Sequence, residues 1–245
     1  MIKIKRTSIP KALKDSPSNS KHYKKKEVVK ALWEMQHGKC CYCERNITEE
    51  GYEKAVDHFR PKSIFPYLTN HWENLLLACP QCNGNKSNKF AVLNYDNPDA
   101  PMIEELNTPS GKIPAIIDPS NQKIDPEDHI GFDFIGTIAD KDFGIMKAKD
   151  ESMLGKVTID TIKIDSDFFI RKRRIHFLKN IFLDFRNLLV AKEENNEARL
   201  TSCKNAFLNH MSATGEFAAF VRAFARHEKL DQPPIGLKIP TGSEM

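Results

Sequence analysis

Two pairs of cysteines hold the first recognisable chemistry of this chain. Cys40-x-x-Cys43 and Cys79-x-x-Cys82 each offer two thiolates from a tight turn, and four thiolates close a tetrahedral shell around Zn²⁺. Such a shell leaves no open coordination position, so the ion it holds is expected to be structural. It ties two distant stretches of chain together, and its binding energy becomes folding energy. Adjacent residues seldom both reach one ion, so Cys41, between two ligands, reads as a bystander. Cys203 shares a helical face with Leu200 and Phe207 and reads as a small buried hydrophobe.

A second set of residues lies between and just after the cysteine pairs. Ala55-Val56-Asp57-His58-Phe59-Arg60-Pro61-Lys62 is followed by His71-Trp72-Glu73-Asn74-Leu75-Leu76-Leu77-Ala78, and Asn83-Gly84-Asn85-Lys86 follows Cys82 directly. The order C-x-x-C, D-H-x-x-P-K, W-E-N-L, C-x-x-C-N-x-x-K resembles the cysteine-bearing branch of the HNH, or ββα-metal, nucleases. Its third motif residue is Asn83 where many relatives carry His. Phosphodiester cleavage needs a nucleophilic water, charge neutralisation at the phosphate and a stabilised leaving oxyanion. Neutral histidine accepts a proton near physiological pH, so His58 is the expected general base. Asp57 and Asn83 offer the hard oxygen donors that Mg²⁺ or Mn²⁺ prefers. The resemblance implies that they hold one catalytic cation at the end of a strand and the start of a helix. It also implies that Asn74 uses its amide to hold the base-bearing turn. Arg60, Lys62 and Lys86 are candidate phosphate contacts or ordinary surface cations.

The elements that must position these residues follow from periodicity. Glu27 to His37 has helical spacing and Gly38 can stop it. His129 to Ala139 alternates apolar residues, and Asp140-Lys141-Asp142 can turn it into a second strand through Phe143 and Ile145. Residues 153–164 are ambiguous, since β-branched residues occupy a helical spacing. Phe168 to Lys192 is the clearest helix, followed by helices around Glu197–Met211 and Glu216–Leu230. Asn97-Pro98, Thr108-Pro109-Ser110-Gly111 and Asp118-Pro119 break the chain into loops. The expected organisation is a basic N-terminal arm (1–24), a nuclease core with the four-cysteine zinc site (25–95), an accessory region for partner docking (96–235) and a frayed tail (236–245). The fold class is α+β: a zinc-stapled ββα-metal core with a mostly helical C-terminal accessory region.

Hydrophobic residues make up 40% and charged residues 29% of the 245-residue chain, which allows a core and excludes global disorder. A net charge of +4 excludes a polycation. The basic residues are uneven, however. Lys3, Lys5, Arg6, Lys11 and Lys14 precede Lys24-Lys25-Lys26, and Arg171-Lys172-Arg173-Arg174 forms a second block. Such blocks meet phosphates or are solvated faces. No signal-like or membrane-spanning apolar run is seen, so a cytoplasmic protein is expected. Five of six cysteines in tight clusters then point to metal, because disulfides rarely persist there.

Downstream, Asp125-Pro126-Glu127-Asp128-His129, an alternating strand with Gly136, and Thr158-Ile159-x-x-Ile162-x-Ile164 before a helix carrying Arg173 extend the resemblance. Together with the core they are similar to the HNH proteins of Septu-type and retron-associated anti-phage systems, the PtuB-like group. That resemblance implies metal-dependent cleavage of DNA in host defence, with RNA as the other possible target, beside a separate ABC-type ATPase. The chain has no G-x-x-x-x-G-K-[ST] loop of its own. The aromatic stripe Phe217, Phe220, Val221, Phe224 is a candidate docking face or part of the protein's own core. Two other classes stay open: a zinc-dependent nucleic-acid-binding module without cleavage, and a scaffold subunit.

Overall fold

Val28, Leu32 and Met35 fall at four- and three-residue steps, and they are the buried face of α1 (Lys26–Met35) in a computed structural model of the chain. The structure describes residues 1, 3–48, 54–93, 101–102, 114–136, 143–165, 168–233 and 235–241. Gly38 ends the first helix as expected. Its φ is +67°, its N–H reaches the Trp33 carbonyl at 2.8 Å, and a Cβ there would lie 2.9 Å from the Trp33 ring. Only glycine meets both demands.

A two-stranded antiparallel ribbon forms the base of the cysteine-bearing core. β1 (Ala55–His58) pairs with β2 (Leu75–Ala78), with His58 opposite Leu75 and Asp57 opposite Leu76. The run Leu75-Leu76-Leu77-Ala78 is buried at every position, as a strand covered on both faces requires. Helix α1 packs against β2, and α2 (Pro80–Lys86) packs against β1. Gln36 fastens α1 to the ribbon: its side chain accepts from Leu77 N and donates to the Leu77 and Lys39 carbonyls at 2.8–2.9 Å. A short ladder, β3 (Val92–Leu93) with β4 (Pro101–Met102), follows.

The remainder builds a second, mostly helical layer. Helix α3 (Pro126–His129) leads into the hairpin of β5 (Ile130–Phe134) and β6 (Phe143–Ala148). The turn expected at Asp140–Asp142 lies outside the described residues, as do Asn97-Pro98 and Thr108–Gly111. The ambiguous segment is a helix, α4 (Met153–Ile162). A local device favours helix over strand there: Ser152 caps the Gly155 N–H at 3.2 Å. Helices α5 (Phe168–Glu193), α6 (Glu197–Met211) and α7 (Ala218–His227) complete the chain.

Phe217, Phe220, Val221 and Phe224 are all buried. The stripe closes the protein's own core against Phe132 and Phe134 of the hairpin and Phe182 and Phe185 of α5, so it is not an outward docking face. Two residues of the second basic block are paired within the fold: Arg174 is buried against Asp165 and the Gly144 carbonyl, and Arg173 pairs with Glu216.

The basic N-terminal stretch does not hang free. Ile4 and Leu13 are buried, and Arg6 donates to the carbonyls of Trp72, Glu73 and Leu75 and to Ser120 Oγ. Composition alone suggests an arm, but one guanidinium with five donors satisfies a whole turn of backbone. The tail is likewise packed at its start, with Ile235 and Leu237 buried and Leu237 N bonded to the Leu230 carbonyl at 2.7 Å. Among the described residues no helix is long and apolar enough to cross a membrane.

Candidate functional site

The first cysteine pair sits in a tight knuckle, where Cys40 N donates to the Arg45 carbonyl and Glu44 N to the Cys40 carbonyl, both at 3.0 Å. The second pair opens α2, with Cys79 as N-cap and Pro80 in the first turn, where its missing N–H costs nothing. The Sγ atoms of Cys40, Cys43, Cys79 and Cys82 all lie within 4.8 Å of one another and are buried. Cys43 Sγ and Cys79 Sγ are 3.9 Å apart, close to the roughly 3.8 Å edge of a tetrahedron with Zn–S bonds of about 2.3 Å. Backbone N–H groups of Cys79 and Cys82 point at the sulfurs of Cys40 and Cys79, which favours thiolates. The four residues therefore fit a closed zinc shell. Cys41 is outside the set: its N–H fixes the knuckle to the Leu77 carbonyl at 2.9 Å, and burial pushes its thiol well above the usual range. On its other side the knuckle meets the helical layer, through Lys39 Nζ on the Gly215 carbonyl and Asn46 N on Glu216 Oε1.

Where β1 ends, a cleft of about 260 Å³ opens, and Asp57, His58, Lys62 and Asn83 all line it. Helix α2 brings Asn83 to the ribbon because Cys82, its neighbour, is drawn into the cysteine cluster. Asp57 is buried, yet both carboxylate oxygens have donors: the Tyr42 hydroxyl at 2.6 Å and Lys86 Nζ at 3.0 Å. Each oxygen keeps a further lone pair, and Asp57 and Asn83, which line the same cleft, carry the oxygen donors that a hard divalent cation takes.

His58 Nε2 lies 2.9 Å from the Thr69 carbonyl. A carbonyl only accepts, so Nε2 carries the proton and Nδ1 is left as the basic nitrogen. Burial holds the imidazole below its ordinary pKa, helped by the Lys62 and Lys86 charges, while the Thr69 bond and Asp57 act the other way. The Tyr23 ring stands edge-on at 4.6 Å from the His58 ring and limits its tilt.

Asn74 stands behind the cleft, buried. Its Oδ1 accepts from Arg60 N at 2.8 Å, and its Nδ2 donates to the carbonyls of Arg60 and Leu68 at 3.0 and 3.2 Å. Its own carbonyl accepts from Phe59 N. It thus bridges the two ends of the loop that follows His58. The Arg60 guanidinium lies over the rings of Phe90 and Phe65, at 5.1 and 5.7 Å. Lys62 is exposed at the cleft, with Nζ on the Tyr23 hydroxyl at 2.7 Å.

Lys86 is the clear correction. As a phosphate contact it would have to reach the surface, but it is fully buried, with its ammonium on Asp57 and on the His58 carbonyl at 2.8 Å. A buried carboxylate needs a paired charge more than a phosphate needs one more surface cation. Sequence reasoning also misses Tyr42 and Tyr23. Tyr42 is hidden inside the Cys40–Cys43 knuckle, where the cysteines draw all attention.

Residues 40–89 match the family model of the HNH endonuclease. Among curated proteins, the Septu protein PtuB of Bacillus thuringiensis is 40% identical over 84 residues, which is 34% of this chain and 30% of that protein. The Septu protein PtuB of Bacillus mycoides is 32% identical over 160 residues, 60% of this chain and 49% of that protein. The Septu protein PtuA of Bacillus mycoides is 25% identical over 165 residues, 62% of this chain and 20% of that protein. The chain spans about half the length, or less, of these relatives. No solved structure matches it.

Proposed function

We propose that this chain, which carries an HNH endonuclease domain over residues 40–89, is a metal-dependent nuclease that hydrolyses phosphodiester bonds of DNA in anti-phage defence. The observation that carries the proposal is the convergence of Asp57, His58 and Asn83 on one cleft, with His58 oriented by the Thr69 carbonyl. His58 Nδ1 takes the proton of the attacking water as general base. Asp57 and Asn83 would hold a Mg²⁺ or Mn²⁺ ion. Such a cation, when bound, supplies charge neutralisation at the phosphate and stabilises the leaving oxyanion. Asn74 holds the loop after His58, and Lys62 and Arg60 supply positive charge to the nucleic acid. The zinc bound by the four cysteines is structural. The defence role rests on the likeness to the Septu proteins.

A separate ABC-type ATPase is proposed as partner, on the strength of the resemblance to the PtuB-like group. Co-expression followed by size-exclusion chromatography tests it: a chain that elutes alone and cuts at full rate without ATPase or nucleotide rejects the partner.

One observation favours a second reading, a nucleic-acid-binding subunit without cleavage: Lys86 already neutralises Asp57. A plasmid-nicking assay with and without Mg²⁺ or Mn²⁺ separates the two. Cleavage that needs the cation and vanishes in His58→Ala supports the nuclease, whereas binding without cleavage supports the second reading. A labelled RNA run in parallel decides the nucleic acid.

A further inference from the structure

We infer that a lysine-lined groove along α1 carries the flanking nucleic-acid backbone away from the Asp57/His58 cleft. The inference rests on the nuclease reading above. Val56 and Lys62 line the catalytic cleft, and both also line a second hollow of about 440 Å³ with Tyr23, Lys24 and Lys54. Lys24 and Lys54 in turn line a third hollow, of about 590 Å³, which continues past Lys26 and Lys30 to Trp33. Shared walls make the three hollows neighbours that reach from the reacting groups to the N-terminal helix, so that lysines of α1, outside residues 40–89, and Lys54 and Lys62, within them, line one face.

Among the described residues that line these hollows, lysines outnumber acids. Lys24, Lys26, Lys30 and Lys62 are exposed and Lys54 is half-buried. The acids beside them among the described residues are Glu27, which lines the third hollow and whose Oε1 accepts from Ala12 N at 3.3 Å, Asp57, which pairs with Lys86, and Glu34 at the far end, which pairs with Lys30 at 3.8 Å. Tyr23 anchors the near end, with Lys62 Nζ 4.8 Å and Lys24 Nζ 5.9 Å from its ring centroid. A line of ammonium groups in a concave wall focuses positive potential on a polyanion, and contacts of this kind position a backbone without reading its sequence. In the second basic block, Arg174 is buried on Asp165 and Arg173 pairs with Glu216.

The test uses the full chain with His58→Ala, so that binding is read without cleavage, and a fluorescein-labelled DNA duplex without added divalent cation. The triple variant Lys24→Gln/Lys30→Gln/Lys54→Gln is compared with a charge-matched control, Lys179→Gln/Lys229→Gln/Lys238→Gln, in a salt titration of the Kd. The groove variant should bind on the order of tenfold more weakly, with the slope of log K against log salt flattened by roughly two to three, while the control keeps the parent slope. Circular dichroism and zinc content check the fold. If Lys54→Gln lowers yield, the Lys24→Gln/Lys30→Gln pair gives the same comparison with a smaller slope change. An unchanged slope in the groove variant, or an equal change in the control, overturns the groove while leaving a parent that cuts DNA as a nuclease. A chain that neither binds nor cuts DNA overturns the nuclease reading, and the groove falls with it. An acidic protein segment competing for the groove while DNA binding survives its neutralisation also overturns the inference.

Discussion

The Tyr42 hydroxyl donates to Asp57 Oδ2 at 2.6 Å, and Tyr42 stands between the knuckle cysteines Cys41 and Cys43. The cysteine cluster and the cleft are therefore one unit: the knuckle that carries Cys40 and Cys43 also supplies a donor to the carboxylate at the cleft. Burial and Asp57 hold the Tyr42 phenol well above its ordinary range, so it stays a donor throughout the neutral region. Replacing Tyr42 by Phe removes a hydrogen bond to a buried charge and should lower stability by about 1.5–3 kcal/mol. Zinc content should be unchanged, and cleavage should need more Mg²⁺ or Mn²⁺. Denaturant unfolding and a cation titration of the cleavage rate check both parts. A variant with parent stability and parent cation dependence would show the bond to be without consequence.

Lys86 and Asp57 form a buried ion pair, so removing one partner leaves an uncompensated charge. Lys86→Met should destabilise the fold by about 3–5 kcal/mol. The double variant Lys86→Met/Asp57→Asn should be markedly more stable than the sum of the two single losses implies, because it strands no charge. A thermodynamic cycle from urea unfolding reads the coupling directly. Additive losses would mean that the pair does not act as a pair.

The contrast with Lys62 shows what the sequence can and cannot tell. The apolar period of α1, the hairpin of β5 and β6 and each of the two C-x-x-C pairs are local patterns, and they are legible residue by residue. Lys62 and Lys86 look alike in sequence, each a cation beside a motif, yet one is exposed and the other fully buried. Which is which depends on contacts across 29 residues, between Lys86 and Asp57, and no periodicity encodes those. The orientation of His58 is hidden more deeply. Its partner is the backbone carbonyl of Thr69, a group that every residue type carries. Composition misleads for Arg6 as well, since its role in bonding the Trp72–Leu75 backbone depends on where that turn lies.

Purified protein should contain about one zinc per chain, since four thiolates complete a tetrahedral shell. Cys79→Ala or Cys82→Ala should lower solubility and stability, and chelation should unfold the ribbon and α2 together, because metal binding is folding energy at such a site. Elemental analysis and near-ultraviolet dichroism give the readouts. Soluble, active protein without zinc would dismiss the metal.

His58→Ala should lower cleavage by on the order of a hundred- to ten-thousand-fold, as loss of a general base does. Zinc content and DNA affinity should stay near those of the parent, because neither depends on the imidazole. Single-turnover cleavage, elemental analysis and fluorescence anisotropy are the measurements. Undiminished nicking would remove His58 from its role as base.

The pH profile adds a sign that the alanine variant cannot. His58 acts as base only when neutral, so the rate should rise with pH through its folded pKa and level off above it. Burial and Lys62 lower that pKa, and a cation at Asp57 pushes the same way. The rising limb should therefore lie on the acid side of the ordinary histidine value, about 6.5. The linkage to stability has a matching direction: between the two pKa values the unfolded state binds more protons, so this contribution is present above the unfolded value and is lost as pH falls through the folded one. Lys62→Gln removes one lowering charge, so its limb should move to higher pH, toward the ordinary value, independently of any loss in DNA affinity. Cleavage under saturating DNA, measured across the acid range for parent and variant, separates the two effects. A limb that stays in place or moves to lower pH in Lys62→Gln would mean that Lys62 does not act on His58.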